Sequence, residues 1–283
     1  MNASRVVKLT TFADIDTSGQ SDACVNYLDA VRDVPALRQI DHAIIGIVAD
    51  QVPSLIIEIG CGTGELLEVL TNVSTPRSRG LGIEKSASLA TEAKRRHQSD
   101  AYLEFLVHDF LESEANDEIF SSGYASNSAD AIVLNRVVQH LDDPIRLFRN
   151  TKSMLRVGGA MILSDVDWTQ FTITHPDLNL TAEIIAEHLK VVTFPHAGGM
   201  LIKILEDAGF KNVQEKLCVS HTIREFNVAD TVFCLSATVR RLIENGKITS
   251  ADGSRWLKAC TELERSGHFG ASIPQVVAVG FIE

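Results

Sequence analysis

The sequence predicts an α/β fold, an open and mostly parallel sheet with helices on both of its faces, and three observations predict it. Short apolar runs rich in β-branched residues alternate with helical patterns from residue 55 to residue 168. Four of the five runs end on a polar or acidic residue, which is where an open α/β sheet holds its ligand. Three glycines fall within five positions between the first run and the first helical pattern, more than a tight turn needs.

Taken in order, residues 1–52 hold two helices, over Cys24–Val31 and Ala36–Val48, broken at Pro35. Leu55–Ile59 has the length and composition of a strand buried on both faces, and the cluster Gly60-Cys61-Gly62-Thr63-Gly64 follows. Leu66, Leu67 and Leu70 then recur at helical spacing behind Glu65. Strand, glycine turn and helix together aim unpaired backbone N–H groups at a bound nucleotide or nucleoside. The second strand, Gly80–Glu84, ends on a carboxylate that can accept both hydroxyls of a ribose. Lys85 follows at once, so a surface ion pair is the competing use of Glu84. The next helix is capped by Ser86 or Ser88, with Lys94-Arg95-Arg96 on its solvated face.

The third strand runs from Phe105 to Asp109 and Phe110, with a helix cap as the alternative role of Asp109. The fourth, Ala129–Asn135, leads through a polar turn containing His140 to a helix capped by Asp143 and opened by Pro144. Leu147, Phe148, Thr151, Met154 and Leu155 make its apolar stripe, and Gly158-Gly159 ends it. Ala160–Asp165 is the fifth strand. Beyond it come a helix over Leu180–Lys190, a turn at Pro195–Gly199, and a helix from Leu201 stopped at Gly209. A strand over Val213–Ile223 and a final strand over Pro274–Ile282 enclose a helical insertion, whose second helix opens on a capping box, Thr249 to Asp252. Trp256, Leu257, Cys260 and Leu263 share one side of that helix.

A dinucleotide fingerprint, G-x-G-x-x-G, would need glycine at position 65, where the chain has Glu65. A carboxylate there opposes a pyrophosphate and suits a ligand bearing an ammonium and a sulfonium. The pattern Glu58-x-Gly60-x-Gly62-x-Gly64 resembles motif I of the class I S-adenosylmethionine-dependent methyltransferases. The resemblance is strong over residues 55–168 and looser to residue 283. It implies S-adenosyl-L-methionine as cofactor and a Rossmann-like, seven-stranded sheet with an antiparallel last strand and helical lid insertions. By the same resemblance, Glu58, Gly60, Cys61, Gly62 and Gly64 lie under the amino-acid end and ribose. Glu84, with Lys85 beside it, serves the ribose, Asp109 and Phe110 serve the adenine, and Asn135 completes the cofactor site. Residues 1–52 become a lid and 53–169 the cofactor-binding core. Residues 170–199 become an insertion at the acceptor pocket, and 200–283 the rest of the core, with its insertion at about 224–267.

Within the family, Val137–Pro144 and the Asp165-Val166-Asp167-Trp168 strand end look most like small-molecule O-methyltransferases of natural-product and sugar pathways. Methyl transfer needs alignment, exclusion of water and removal of a proton from a hydroxyl or amine. His140 is the candidate base, with Asp165 or Asp167 to orient it, and a cap over the cofactor's methionine end is its alternative role. His196, beside Gly198-Gly199, is a further candidate for the acceptor pocket. A protein methyltransferase, or a non-methylating binder such as a cyclase on the same fold, stays open.

Composition narrows the partners. A net charge of −11, with no longer basic block than Lys94–Arg96, disfavours nucleic acid. Five scattered cysteines without a C-x-x-C, and nine histidines without H-E-x-x-H, predict no disulfide framework and no metal. No apolar run approaches a membrane span and no signal sequence is visible, so a soluble, cytoplasmic protein is expected. A small-molecule acceptor is the expected partner, with a homodimer open.

Overall fold

The computed structural model describes residues 15–19, 21–73, 76–111, 124 and 126–283. The first fourteen residues of the expected lid lie outside them. The strands are β1 (Leu55–Ile59), β2 (Arg79–Glu84), β3 (Leu103–Val107), β4 (Ala129–Asn135), β5 (Leu155–Val166), β6 (Thr172–Ile173), β7 (Lys211–Ile223) and β8 (Ala271–Phe281). β3, β2, β1, β4 and β5 pair in parallel in that order, and β8 lies antiparallel between β5 and β7. The sheet has eight strands rather than the expected seven. The eighth, β6, is two residues that pair with Ala271 and Ser272 of β8. A single helical turn at Trp168–Gln170 separates it from β5.

Successive residues of each strand face opposite cores, as the pleat requires. Ile57, Ile59, Leu81, Ile132, Leu134, Met161 and Leu163 pack on helices α6 (Pro144–Lys152) and α8 (Ala197–Asp207). Ile56, Ala131, Val133 and Ile162 pack on α3 (Arg38–Asp50) and α4 (Glu65–Asn72). Caps fall at the expected residues: Ser86 accepts from Leu89 N at the start of α5 (Ala87–Arg96), and Asp143 accepts from Arg146 N. The Thr249–Asp252 capping box opens α11 (Ser250–Arg265).

Two expectations need correction. The stripe through Met154 and Leu155 breaks because α6 ends at Lys152 and Leu155 already pairs with Ala129. Gly158 and Gly159 therefore sit within β5, where a side chain on Gly159 would come within 2.9 Å of Arg156 O. Gly198 and Gly199 form no turn but the first turn of α8, and a Cβ on Gly198 would lie 2.7 Å from Asp165 O. Glycine lets that helix start against the backbone of β5.

A second core lies at one end of the sheet, where Val166, Ile173, Ile223, Ala271 and Ile273 of the strands belong to it. Val31 of α2 (Ser21–Arg32), with Val34 and Leu37 in the turn that follows it, shares it with α7 (Leu178–Leu189), α9 (Phe226–Phe233), α10 (Leu235–Glu244) and α11. Segments far apart in sequence thus close over one end of the sheet. The short helix α1 (Ile15–Ser18) is tied to the core by Asp16, which accepts from Ser86 Oγ and Ala87 N, both at 2.8 Å.

Candidate active site

The strand ends and the second core bound a single cavity of about 300 Å³. Its polar wall comes from the carboxyl ends of β1, β2 and β4 and from the segment after β3: Gly60, Gly62, Glu84, Lys85, Asp109 and Asn135. Its apolar wall is the near face of the second core, with Leu37, Val166, Trp168, Val232, Phe233 and Ile273.

The glycine loop takes its shape from positive backbone angles, φ 70° at Gly60, 56° at Gly62 and 89° at Gly64. Any other residue would be strained at each. At Gly60 a Cβ would also strike Val137 Cγ2 at 2.5 Å. The Glu84 carboxylate anchors the loop to β2: Oε2 accepts from Gly62 N at 2.9 Å and Oε1 from Ser86 N at 3.0 Å. The carboxylate, which also feels the Lys85 N–H, still has acceptor capacity for a ligand. Burial holds the Glu84 pKa above the usual carboxylate value, against the backbone N–H groups that lower it. Lys85 is exposed and pairs with Asp109 at 2.8 Å, while Asp109 Oδ1 accepts from Leu111 N. Phe110 is buried at the cavity wall.

Eight of the expected site residues therefore line one cavity: Gly60, Gly62, Glu84, Lys85, Asp109, Phe110, Asn135 and His140. Five do not. Gly64 caps α4 and faces Phe105 and His97. The Cys61 thiol points into the core, 2.8 Å from where a Cβ on Gly82 would stand. Glu58 is buried under the loop, where its Oε2 has no hydrogen-bond partner among the described residues. Burial, then the neighbouring charge of Glu65, pushes its pKa well above the carboxylate range.

Asp165 and Asp167 are the remaining two. Asp165 is fully buried, accepts from Gln139 N at 3.0 Å and Val166 N at 2.8 Å, and is pushed up to about 7 by burial. Asp167 accepts from Thr169 N and Gln170 Nε2. The expected carboxylate for His140 is thus replaced by a backbone support, since Gln139 precedes His140 in the helical turn Val138–His140. Burial, and secondarily the charge of Arg136, lowers the His140 pKa to about 4. The ring is neutral at physiological pH. His196 is exposed and not part of the cavity wall.

Sequence reasoning missed Arg136, Gln139, Tyr27 and Trp168. Gln139 Oε1 accepts from Trp168 Nε1 at 2.6 Å, which fixes the indole in the cavity wall, and Tyr27 donates to Val232 O at 3.3 Å. The strand end Asp167-Trp168 was the available signal for Trp168.

A family model described as a methyltransferase domain matches residues 28–215. An uncharacterised 37.1 kDa protein in transposon TN4556 of Streptomyces fradiae is 26% identical over 257 residues, 90% of this chain and 70% of that protein. A malonyl-[acyl-carrier protein] O-methyltransferase of Paenibacillus is 30% identical over 122 residues, 42% of this chain and 41% of that enzyme. Among solved structures, a phosphoethanolamine N-methyltransferase of Haemonchus contortus, in complex with S-adenosyl-L-methionine, superposes with a TM-score of 0.56 at 18% identity. That match covers 97% of this chain and 60% of the other. The YcgJ protein of Bacillus subtilis superposes at 0.55 and 12% identity, over 86% of this chain and 98% of its own. At such identities the structural matches speak for the fold. The family model spans well over half the chain, on a sheet whose glycine loop and strand-end carboxylates meet in one cavity: this chain belongs to the class I S-adenosylmethionine-dependent methyltransferases.

Proposed function

We propose that the protein transfers a methyl group from S-adenosylmethionine to a hydroxyl, or an amine, of a small molecule with an apolar body. The observation that carries this reading is the two-walled cavity, polar at the glycine loop and apolar at Trp168, Val232 and Phe233. The residues fit a cationic nucleoside. Glu58, under the loop, feels the charges of both Asp41 and Glu84, and burial raises the pKa of all three carboxyls. A positive ligand charge relieves that repulsion. When bound, the cofactor supplies an activated methyl group on a sulfonium.

The chain's own residues do the rest. Glu84 receives the ribose hydroxyls on its carboxylate oxygens, the Gly60 and Gly62 backbone allows close approach, and Phe110 and Asp109 flank the base. Trp168, Tyr27 and Phe233 exclude water and orient the acceptor. A neutral ring nitrogen of His140 takes the acceptor's proton as the new carbon–oxygen or carbon–nitrogen bond forms. Such a role places the protein in small-molecule secondary metabolism in the cytoplasm. The net charge of −11 speaks against a nucleic-acid acceptor.

The test is to incubate the purified protein with S-adenosylmethionine and a panel of apolar alcohols, phenols and amines. Release of S-adenosylhomocysteine should appear together with a methylated product. Product formed only on proteins or RNA would refute the reading.

A further inference from the structure

A cation in the cavity wall with no assigned role is the guanidinium of Arg136. It is half-buried in the wall of the cavity that His140, Trp168 and Phe233 also line. Its charge is felt by His140, Tyr27, Asp41 and Asp165. Yet among the described residues no carboxylate lies within the 4.0 Å of an ion pair with it. A half-buried cation that no carboxylate touches is incompletely compensated by the more distant charges of Asp41 and Asp165, and a ligand carboxylate in contact would complete the pairing.

The backbone gives independent support. Arg136 has φ 58°, in the left-handed region that a long side chain rarely occupies. It is held there from both sides: its N–H donates to Ser164 O at 2.7 Å and its carbonyl accepts from Gln139 Nε2 at 3.3 Å. Strain kept in place by its neighbours, at a residue that lines a binding cavity, is a mark of function.

We propose that Arg136 anchors a carboxylate of the methyl acceptor, so that the acceptor is an apolar carboxylic acid whose reacting hydroxyl or amine lies toward His140. The proposal rests on the methyl-transfer reading above. A guanidinium offers two parallel donors to a carboxylate, and the surrounding apolar wall strengthens that pairing. Because few polar groups compete on that wall, one ion pair selects acids over the matching alcohols.

The cofactor's own amino-acid carboxylate is the rival occupant, and the experiment separates the two. The full chain is first titrated with S-adenosylhomocysteine, then, saturated with it, with 3-phenylpropanoate and with 3-phenylpropan-1-ol. The acid should bind ~10-fold or more tightly than the alcohol, the scale of a hydrogen bond to a charged group. In Arg136→Gln that preference should vanish while affinity for S-adenosylhomocysteine stays within ~3-fold, and Arg136→Lys should keep part of it. Melting curves of the variants check that they fold. Equal binding of acid and alcohol, binding of neither, or a preference that survives in Arg136→Gln overturns the proposal. So does a variant that loses S-adenosylhomocysteine instead, which places the guanidinium on the cofactor. Failure of the wild type to bind S-adenosylhomocysteine would count against the methyl-transfer reading itself.

Discussion

Replacing Glu84 by alanine tests the cofactor site at its most specific point. In the folded protein the carboxylate already accepts two backbone hydrogen bonds, from Gly62 N and Ser86 N, and it faces the cavity. Removal therefore takes away the proposed ribose acceptor and loosens the glycine loop together. A hydrogen bond to a charged group contributes ~1.5–3 kcal/mol, which raises Kd for S-adenosylhomocysteine by ~12- to ~140-fold. Loop loosening alone could weaken binding too, so the variant is paired with a ligand change. Calorimetry with S-adenosylhomocysteine and its 2′-deoxyribose analogue, on wild type and Glu84→Ala, forms a double-mutant cycle. The wild type should penalise the deoxy analogue, and Glu84→Ala should not. An undiminished penalty in the variant, or an affinity unchanged by the mutation, removes Glu84 from the ribose site.

Four further outcomes follow from the geometry. His140→Ala should lower kcat by ~10²- to 10⁴-fold with cofactor affinity nearly intact, and His140→Asn should not restore it. Because the folded His140 pKa is about 4, the wild-type rate should show no inflection between pH 6 and 7, and a limb there would mean that another group titrates. His140 and His188, lowered to about 4 and about 3, bind fewer protons folded than unfolded, where histidine titrates near ~6.5. Their contribution is complete above ~6.5 and is lost as pH falls toward the folded values. Asp165, raised to about 7, works in the opposite sense. Melting temperature against pH should therefore fall less steeply on acidification in His188→Gln than in wild type. Asp16→Ala, which frees α1 from the start of α5, should speed release of S-adenosylhomocysteine by ~5- to 30-fold in stopped flow, on the scale of ~1–2 kcal/mol for its hydrogen bonds. Gly198→Ala forces a Cβ to 2.7 Å from Asp165 O and 2.8 Å from Asp167 N, so denaturant melts should show a loss of ~1–3 kcal/mol or more, and wild-type stability would mean that α8 can slide.

What the sequence determined by itself is local. Caps at Ser86, Asp143 and Thr249 were legible because each bonds a backbone group within three residues of itself. The glycine loop was legible because its φ values exclude other residues, and the strands because a sheet buried on both faces reads as continuous apolar runs. Glu84, Asp109 and Asn135 followed, since residues at the carboxyl ends of parallel strands converge on one edge.

Only the tertiary structure decided which way the remaining groups point. Asp165 and Asp167 end the same strand as expected, but the packing of Gln139 and the start of α8 turns them from the cavity toward backbone N–H groups. Leu155 fits a helical stripe on paper, and only its pairing with Ala129 makes it strand. Tyr27, Trp168 and Phe233 are ordinary apolar positions in sequence, because periodicity does not tell a side chain facing a core from one facing a cavity. They become a wall when the α2, β5 and α9 segments meet in one cluster. Nothing local marks Arg136 either: its backbone strain, and the lack of a contacting carboxylate among the described residues, exist only once distant strands and helices have closed around it.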